Sequence, residues 1–230
     1  MRVVEWAGEE WVALVERGLW WPRRRTLCIA DVHLGKAAAF RSEGVPVPEG
    51  STGVDLQRLS GLVSALGAHR LVLLGDLLHA AAGRVDEVMG SVEAWRENCR
   101  ELDVLLVRGN HDAKAGDPPE SWGIRVQDGP WADRGDGDIV FAHEPQILEK
   151  VEPGKRMLCG HIHPAAVLRG SLRDMKAPCF WFGKRIAVLP AFGSFTGTRV
   201  VSPVEGDRVL VVGPDEVVEV SAKRMPARQR

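Results

Sequence analysis

Short apolar runs and helically spaced apolar positions follow each other through the first half of the chain. Runs at residues 26–30, 71–74 and 103–107 are typical of buried strands. Between them, apolar side chains recur at intervals of three and four residues over 56–66 and 88–99, which predicts two helices. The order strand, helix, strand, helix, strand is the signature of an α/β sheet.

The second half of the chain changes character, because short apolar runs recur there with few helical patterns between them. Turn-forming pairs separate these runs, for example Asp-Gly at 128–129 and Gly-Pro at 213–214. We therefore expect the strands to pair in an antiparallel or mixed sheet. The predicted strands are residues 124–126, 139–141, 157–159, 179–182, 186–189, 209–212 and 217–220. Weak alternation around residues 11–15 predicts further strands near the start of the chain.

Length and composition indicate an ordinary globular domain. Of the 230 residues, 45% are hydrophobic and 27% are charged, values typical of a soluble protein. Thirty basic and 31 acidic residues give a formal net charge of −1, which argues against a strongly basic nucleic-acid binder, a polyacidic tail protein and a disordered chain. We predict a single domain over residues 1–220, followed by a flexible basic tail at 221–230.

The signals for cellular location are those of a cytoplasmic protein. The first ten residues lack the apolar core of a signal peptide, and no stretch approaches the roughly 18–20 apolar residues of a membrane span. The four cysteines lie far apart in the sequence and form no C-x-x-C pair. We therefore expect reduced, mostly buried thiols rather than a disulfide frame, and no membrane partner.

Each strand predicted in the first half is followed by polar residues that a strand does not require. Asp31 and His33 follow the first strand, Asp76 follows the second, and Asn110 and His111 follow the third. In open α/β sheets the ligand crevice lies outside the carboxyl ends of the strands. We therefore expect these groups to converge on one edge of the sheet.

Two further histidine motifs lie in the second half of the chain. His143 stands in Phe-Ala-His-Glu-Pro, and His161 and His163 stand in Gly-His-Ile-His-Pro. Residues two apart on a strand point the same way, so the last two histidines are expected to reach a common site, as are Asp31 and His33. Two Asp, one Asn and four His suit Mn²⁺, Fe or Zn²⁺. Seven ligands exceed the three or four of one catalytic zinc, so two metals that share a carboxylate fit the set better.

Five short motifs occur in a fixed order between residues 31 and 163: D-x-H, G-D, G-N-H-D, a lone His and G-H-x-H. This order resembles the calcineurin-like metallophosphoesterases. Within that superfamily, the stretches at 30–40, 45–48, 143–145 and 190–197 resemble the bacterial ligase-associated DNA damage response endonucleases of the PdeM type, which are related to the SbcD-type nucleases. The resemblance implies an α/β fold of two mixed β-sheets packed face to face and flanked by helices, a four-layer αββα sandwich.

The resemblance also implies a role for each motif residue. The implied ligands are Asp31, His33 and His163 for one metal, Asn110, His143 and His161 for the other, and Asp76 as the bridge between them. A hydroxide between the two metals would attack phosphorus. His111 would protonate the leaving oxygen, and Asp112 would orient His111. The metals are expected to be two divalent transition metals, Mn²⁺ first, with Fe or Zn²⁺ as alternatives.

His79 departs from the superfamily pattern. Many members carry G-D-x-x-D, and His79 stands where the second Asp would be. The SbcD-like nucleases also carry histidine there, which fits a phosphodiesterase acting on nucleic acid. The alternative is a buried, hydrogen-bonded structural histidine. Lys36, Arg41 and Arg108 lie near the motifs and are candidate contacts for substrate phosphates, with ordinary surface charge as the alternative.

The sequence thus predicts a dimetal phosphodiesterase. The resemblance implies a DNA endonuclease favouring single strands that works in DNA repair beside a ligase and a helicase. One alternative is hydrolysis of a small pyrophosphate or a nucleotide lipid, although the apolar helical cap of membrane-associated relatives does not appear in the sequence. Another is a non-catalytic scaffold on the same fold, although the chain keeps all seven ligands. The net charge of −1 argues against tight binding along the DNA backbone. The sequence does not indicate the oligomeric state.

Overall fold

The first sheet of this computed structural model contains seven strands in chain order. They are β1 (Arg2–Trp6), β2 (Glu9–Ala13), β3 (Leu19–Trp21), β4 (Thr26–Ile29), β5 (Arg70–Leu73), β6 (Asp103–Val107) and β7 (Ile124–Gln127). Strands β1 to β4 pair antiparallel, and β4 to β7 pair in parallel. The structure describes residues 1–168 and 174–220, so the tail predicted at 221–230 lies outside the described residues.

The central parallel strands are buried on both faces of the first sheet. In β6, Val104 and Leu106 pack into one apolar core, whereas Leu105 and Val107 pack into another. Successive side chains on a strand point to opposite faces, so both faces must be apolar. This explains why the sequence shows continuous apolar runs here instead of apolar and polar alternation.

Helices cover the outer face of this sheet and surround its carboxyl edge. They are α1 (Lys36–Ser42), α2 (Ser51–Leu66), α3 (Asp86–Asn98) and α4 (Asn110–Ala115). Leu59 of α2 and Trp95 of α3 pack in the core formed with Leu71 of the sheet, as the helical spacing predicts. The two short helices were not predicted, because six or seven residues are too few to show a periodic apolar pattern. No helix in the described part of the chain is long and apolar enough to cross a membrane.

The second sheet is mixed, as predicted. Its strands are β8 (Ile139–Phe141), β9 (Arg156–Cys159), β10 (Pro164–Leu168), β11 (Met175–Phe182), β12 (Ile186–Val188), β13 (Arg199–Val200), β14 (Arg208–Val212) and β15 (Val217–Val220). The pairs β8–β9, β9–β12 and β10–β13 are parallel, and the other pairs are antiparallel. Strands β10 and β13 had no counterpart among the predicted strands.

The two sheets pack face to face around one apolar core. Trp11 and Leu105 of the first sheet share this core with Leu158, Phe180 and Leu210 of the second. On the outer face of the second sheet, a short 3-10 helix, Pro145–Lys150, packs against the side chains of β9 and β12. The α/β fold class, with two mixed sheets and flanking helices, is therefore confirmed.

The four cysteine thiols are free. Cys28, Cys159 and Cys179 are buried, and burial raises the pKa of each thiol above its usual value. A thiol with a raised pKa stays protonated at neutral pH and is a poor nucleophile. These three side chains therefore act as small apolar core residues.

We expect Val72→Ala to destabilise the protein, because Val72 is fully buried between the sheets. Loss of two buried methyl groups should lower the free energy of unfolding by about 2–3 kcal/mol. Val218→Ala is the matched control, since Val218 also lies in a strand but is 43% exposed, and its cost should stay under about 1 kcal/mol. Urea denaturation of the two variants measures the difference, and equal losses would contradict the shared core.

Candidate metal centre

The turns that follow β4 and β5 lie side by side at the carboxyl edge of the first sheet. The amide of Asp31 donates to the carbonyl of Gly75 (3.2 Å), and the amide of His33 donates to the carbonyl of Asp76 (2.8 Å). The turn after β6 joins them, because the amide of His111 donates to Asp76 Oδ1 (2.8 Å). Backbone hydrogen bonds between turns thus bring together groups that lie far apart in the sequence.

Most of the predicted ligands have a left-handed backbone conformation. Positive φ values occur at Asp31 (55°), His33 (53°), Asp76 (53°), His161 (72°) and His163 (48°). Non-glycine residues in this region cost of order 1–3 kcal/mol each and cluster at functional sites. The D-x-H and H-x-H side chains therefore converge through turns, not through strand alternation as the sequence analysis assumed.

One group of donor atoms surrounds the imidazole of the buried His143. Its Nε2 lies 2.9 Å from Asn110 Oδ1, 3.0 Å from His161 Nδ1 and 3.4 Å from Asp76 Oδ2. Its Nδ1 lies 2.9 Å from the carbonyl of Leu74, so Nδ1 donates a hydrogen bond to that carbonyl and Nε2 is the ring atom that faces the other donor atoms. Nitrogen and oxygen atoms from four side chains thus converge at this point.

A second group of donor atoms surrounds His163. Its Nε2 lies 3.4 Å from His33 Nε2 and 3.4 Å from Asp31 Oδ1. Its Nδ1 lies 3.0 Å from the carbonyl of Gly197, which again fixes the hydrogen on Nδ1 and leaves Nε2 as a donor of a lone pair. The Asp76 carboxylate stands between the groups, because Oδ2 is also 3.8 Å from His33 Nε2.

The electrostatics of these groups favour a cation. Burial disfavours the charge on Asp76, but its hydrogen bond to His143 and the nearby histidine charges lower the pKa of Asp76 to about 2. Burial also disfavours a charged His143, yet Asp76 and Asp31 raise the pKa of His143 to about 9. Burial lowers the pKa of His33 to about 2, which keeps it neutral. Buried carboxylates that draw positive charge to His143, beside a neutral His33, fit divalent metal ions.

The donor atoms form overlapping clusters with metal-binding dimensions. Asp31, His33 and His163 place their ligand atoms within 4.8 Å of one another, and so do Asp31, Asp76 and His143. These two clusters share Asp31, and Asp76 Oδ2 lies 3.8 Å from His33 Nε2 and 3.4 Å from His143 Nε2. Clusters linked by carboxylates in this way fit a pair of ions better than one ion. The donor set of this chain is therefore compatible with a dimetal site.

Glycines let the backbone approach the carboxylates closely. A Cβ at Gly160 would lie 2.6 Å from Asp31 Oδ2, and a Cβ at Gly109 would overlap the Asp76 carboxyl group. Only glycine fits in such a position without displacing a neighbour. A glycine is therefore needed at both positions because the backbone passes close to a carboxylate, and not merely because the chain turns there.

Asp112 contacts the backbone of the site instead of the ring of His111. The buried Asp112 carboxylate accepts hydrogen bonds from the amides of Asp76 (2.7 Å), Leu78 (3.0 Å) and Gly109 (2.9 Å). The ring of His111 is instead oriented by the carbonyl of His79, which lies 2.7 Å from His111 Nδ1. Asp112 thus holds the turns together, a contact that the sequence analysis did not foresee.

His79 lies in the site, against two other histidines. Its ring stacks on that of His111, with 4.7 Å between centroids and 20° between planes. Its Nδ1 is 3.2 Å from His33 Nδ1. Burial, together with the charges of His111 and Lys36, lowers the pKa of His79 to about 4. A neutral His79 therefore packs beside the candidate proton donor.

The three basic residues predicted to meet substrate differ in their surroundings. Arg108 pairs with Asp117 at 2.8 Å and also with Asp128. Arg41 lies within hydrogen-bonding distance of the carbonyl groups of the loop at 47–48. Lys36 lies at the start of α1, with Nζ 5.9 Å from the ring centroid of Phe40. Substrate contacts by the three residues stay predictions, and Lys36 has the fewest competing partners among its described neighbours.

Asp55 and Arg58 of α2 were missed by sequence reasoning. The buried Asp55 carboxylate accepts the amide (3.0 Å) and hydroxyl (3.1 Å) of Ser194. Arg58 donates to the carbonyl of Phe192 and pairs with Asp55 at 3.0 Å. Asp55 shares the buried face of α2 with leucines. An acidic residue on the apolar face of a predicted helix is the sequence feature that could have identified it. These two residues fix a loop whose Gly197 carbonyl holds His163.

Comparisons with known proteins agree with this geometry. Residues 24–171, more than half of the chain, match the model of a family described as Calcineurin-like phosphoesterase. The chain belongs to this family, and it is a metal-dependent phosphoesterase.

Among solved structures, the chain is similar to Pseudomonas putida nuclease MPE, with 37% identity, a TM-score of 0.80 and coverage of 95% of this chain and 99% of that one. The E. coli phosphoesterase Yfce gives 16% identity, a TM-score of 0.44 and coverage of 85% and 97%. A Streptococcus pneumoniae protein, described as a predicted phosphoesterase, gives 13% identity, a TM-score of 0.31 and coverage of 86% and 90%. A comparison with curated proteins gives no match.

We expect Asp112→Asn to destabilise the site turns, because an amide cannot accept all three backbone hydrogen bonds of the carboxylate. The free energy of unfolding should fall by roughly 2–4 kcal/mol. Both forms should be measured with a chelator present, so that metal binding does not contribute. Asp215→Asn, at an exposed carboxylate between β14 and β15, should change little. A loss at Asp112 no larger than at Asp215 would contradict the proposed backbone contact.

Proposed function

We propose that this chain is a two-metal phosphodiesterase that cleaves DNA, with single-stranded DNA as the preferred substrate. The observation that carries the proposal is its 37% identity to a nuclease over 99% of that protein's length. The convergence of buried carboxylates and imidazoles at the carboxyl edge of the first sheet supports it. Phosphodiester cleavage is a reaction that paired divalent metals suit well.

The proposed ligands fall into two sets around the Asp76 carboxylate. They are Asp31, His33 and His163 in one set and Asn110, His143 and His161 in the other, with Asp76 proposed for both because its Oδ2 lies near His33 and near His143. When bound, two divalent ions would neutralise the phosphate and lower the pKa of the attacking water. Mixed oxygen and imidazole donors suit Mn²⁺, our first choice, before Fe or Zn²⁺.

His111 is the proposed general acid. The carbonyl of His79 takes the hydrogen on His111 Nδ1, which directs Nε2 to the substrate. Stacking on His79 keeps the ring in one orientation. From this position His111 would donate a proton to the oxygen that leaves phosphorus. Asp112 would act indirectly, by holding the backbone amide of Asp76.

The charge distribution supports a local grip on DNA. The net charge of the chain is −1, and Arg108 is neutralised by Asp117 and Asp128. A protein that holds many phosphates needs many free basic groups. We infer that affinity is concentrated at the metal centre and at Lys36, and that a ligase and a helicase of a repair system supply further contacts. The motifs at 30–40 and 190–197 are the basis for this repair context.

We expect Asp76→Ala to abolish cleavage, because the proposed bridge would be lost from both ligand sets. Purified protein with Mn²⁺ should cleave single-stranded DNA, and the variant should be at least about 100-fold slower. Metal analysis should find two Mn²⁺ per chain in the wild type and fewer in the variant. Asp86→Ala, at an exposed carboxylate in the first turn of α3, is the matched control and should keep full activity.

The same assay separates the alternative functions. Duplex DNA, a UDP-sugar lipid and a small pyrophosphate should be tested beside the single strand. Turnover of the lipid or pyrophosphate without DNA cleavage would replace the nuclease proposal. Equal DNA cleavage by Asp76→Ala and the wild type would refute the metal assignment. Fewer than one tightly bound transition metal per chain, with no activity after Mn²⁺ addition, would favour the scaffold.

We expect the cost of His111→Ala to depend on the leaving group. An alkoxide leaving from DNA needs a proton, so kcat should fall roughly 10²–10⁴-fold. The p-nitrophenolate leaving from bis(p-nitrophenyl) phosphate needs none, so the loss there should be much smaller. His69→Ala, at an exposed histidine, is the control for both substrates. Equal losses on the two substrates would rule out a general acid role and leave a structural one.

A further inference from the structure

An exposed aromatic side chain stands at the edge of the metal centre. Phe195 is 37% exposed, and its ring meets that of Phe40 edge to face, with 5.7 Å between centroids. Phe40 in turn meets the ring of His79, with 6.0 Å between centroids. The two phenylalanines therefore extend the histidine cluster outward to solvent on the side of the candidate general acid.

The loop that carries Phe195 is anchored on both sides of it. Before it, the amide and hydroxyl of Ser194 donate to the Asp55 carboxylate. After it, the carbonyl of Gly197 accepts a hydrogen bond from the ring of His163, a proposed metal ligand. A side chain held in this way loses little conformational entropy when it binds a ligand.

A third anchor is the contact of Arg58 with the same loop. The guanidinium of Arg58 lies over the ring of Phe192, 4.1 Å from its centroid, and donates to the Phe192 carbonyl. A single exposed apolar residue needs no functional explanation. Phe195 differs from such a residue because its loop is held by a buried carboxylate, an arginine and a site histidine. These polar contacts fix the position of one exposed aromatic side chain.

A cation accompanies the aromatic pair. Lys36 Nζ lies 5.9 Å from the Phe40 ring centroid, on the first turn of α1. Sites for single-stranded nucleic acid combine aromatic faces, on which unpaired bases stack, with basic groups that follow the backbone. Phe195, Phe40 and Lys36 supply both elements beside the reacting centre.

We propose that Phe195, supported by Phe40, is a stacking platform for an unpaired nucleobase next to the scissile phosphate. The inference rests on the proposed nuclease function and deepens it. Base faces are covered by their neighbours in a duplex, so only a single strand, or a base that has left the stack, can occupy the platform. The platform would thus supply the preference for single strands without any contact to the edges of bases.

The test compares two substrates that differ only in their bases. One is a short oligothymidylate, and the other is an abasic strand of the same length and backbone. The wild type should prefer the first by roughly 5- to 150-fold in kcat/KM, the range that one stacked base supplies. Phe195→Ala should remove this preference, by slowing the oligothymidylate and leaving the abasic strand unchanged.

Two further variants separate stacking from a structural role. Phe195→Trp keeps an aromatic face and should restore the preference, whereas Phe195→Leu keeps an apolar contact with Phe40 and should not. Thermal unfolding of each variant should match that of the wild type. A preference that is absent in the wild type, or that survives in Phe195→Ala, overturns the platform while the nuclease proposal stands. Failure of the wild type to cleave either strand overturns both.

Discussion

The convergence of nitrogen and oxygen donor atoms at one edge of the first sheet is the constraint on which the rest of the site depends. His143 Nε2 lies within 3.4 Å of Asn110 Oδ1 and Asp76 Oδ2, while the carbonyl of Leu74 takes the hydrogen on His143 Nδ1. The Asp76 and Asp31 carboxylates draw positive charge to this point, which is why they raise the pKa of His143 to about 9. A neutral apolar site could not hold this arrangement, so the fold and the proposed cations must be considered together.

The backbone around the site is shaped to hold this arrangement. Asp31 and Asp76 adopt left-handed conformations that other side chains avoid, and Gly109 and Gly160 leave no room for a Cβ beside the carboxylates. The three amides bound by Asp112 offset part of this strain, because they tie the turns after β5 and β6 into one unit. The same rigidity keeps the donors in place before any ion arrives, which lowers the free-energy cost of binding one.

The sequence predicts most of the strands, the two long helices and the candidate residues of the site, because each depends on short-range periodicity or on motif order. It does not predict how those residues converge. Strand alternation was the wrong reason for pairing Asp31 with His33, since a left-handed turn depends on contacts with other turns. The contact of Asp55 with Ser194 and the ion pair of Arg108 with Asp117 also depend on the tertiary structure. The chemistry of a side chain can be inferred from the sequence, whereas the backbone groups to which it hydrogen-bonds are determined by the tertiary structure.

A nearly neutral surface and a highly charged centre together limit how this protein can hold a long polyanion. The formal net charge is −1, and Arg108, a basic residue beside the site motifs, is engaged by carboxylates of its own chain, which argues against extensive contacts along a phosphate backbone. Specificity must then come from the immediate neighbourhood of the scissile bond. There the chain offers Lys36 and the face of Phe195, which is fixed by the loop that also orients His163. Because one loop carries Phe195 and orients His163, a strand bound on the proposed platform would meet a centre whose ligand is already in position.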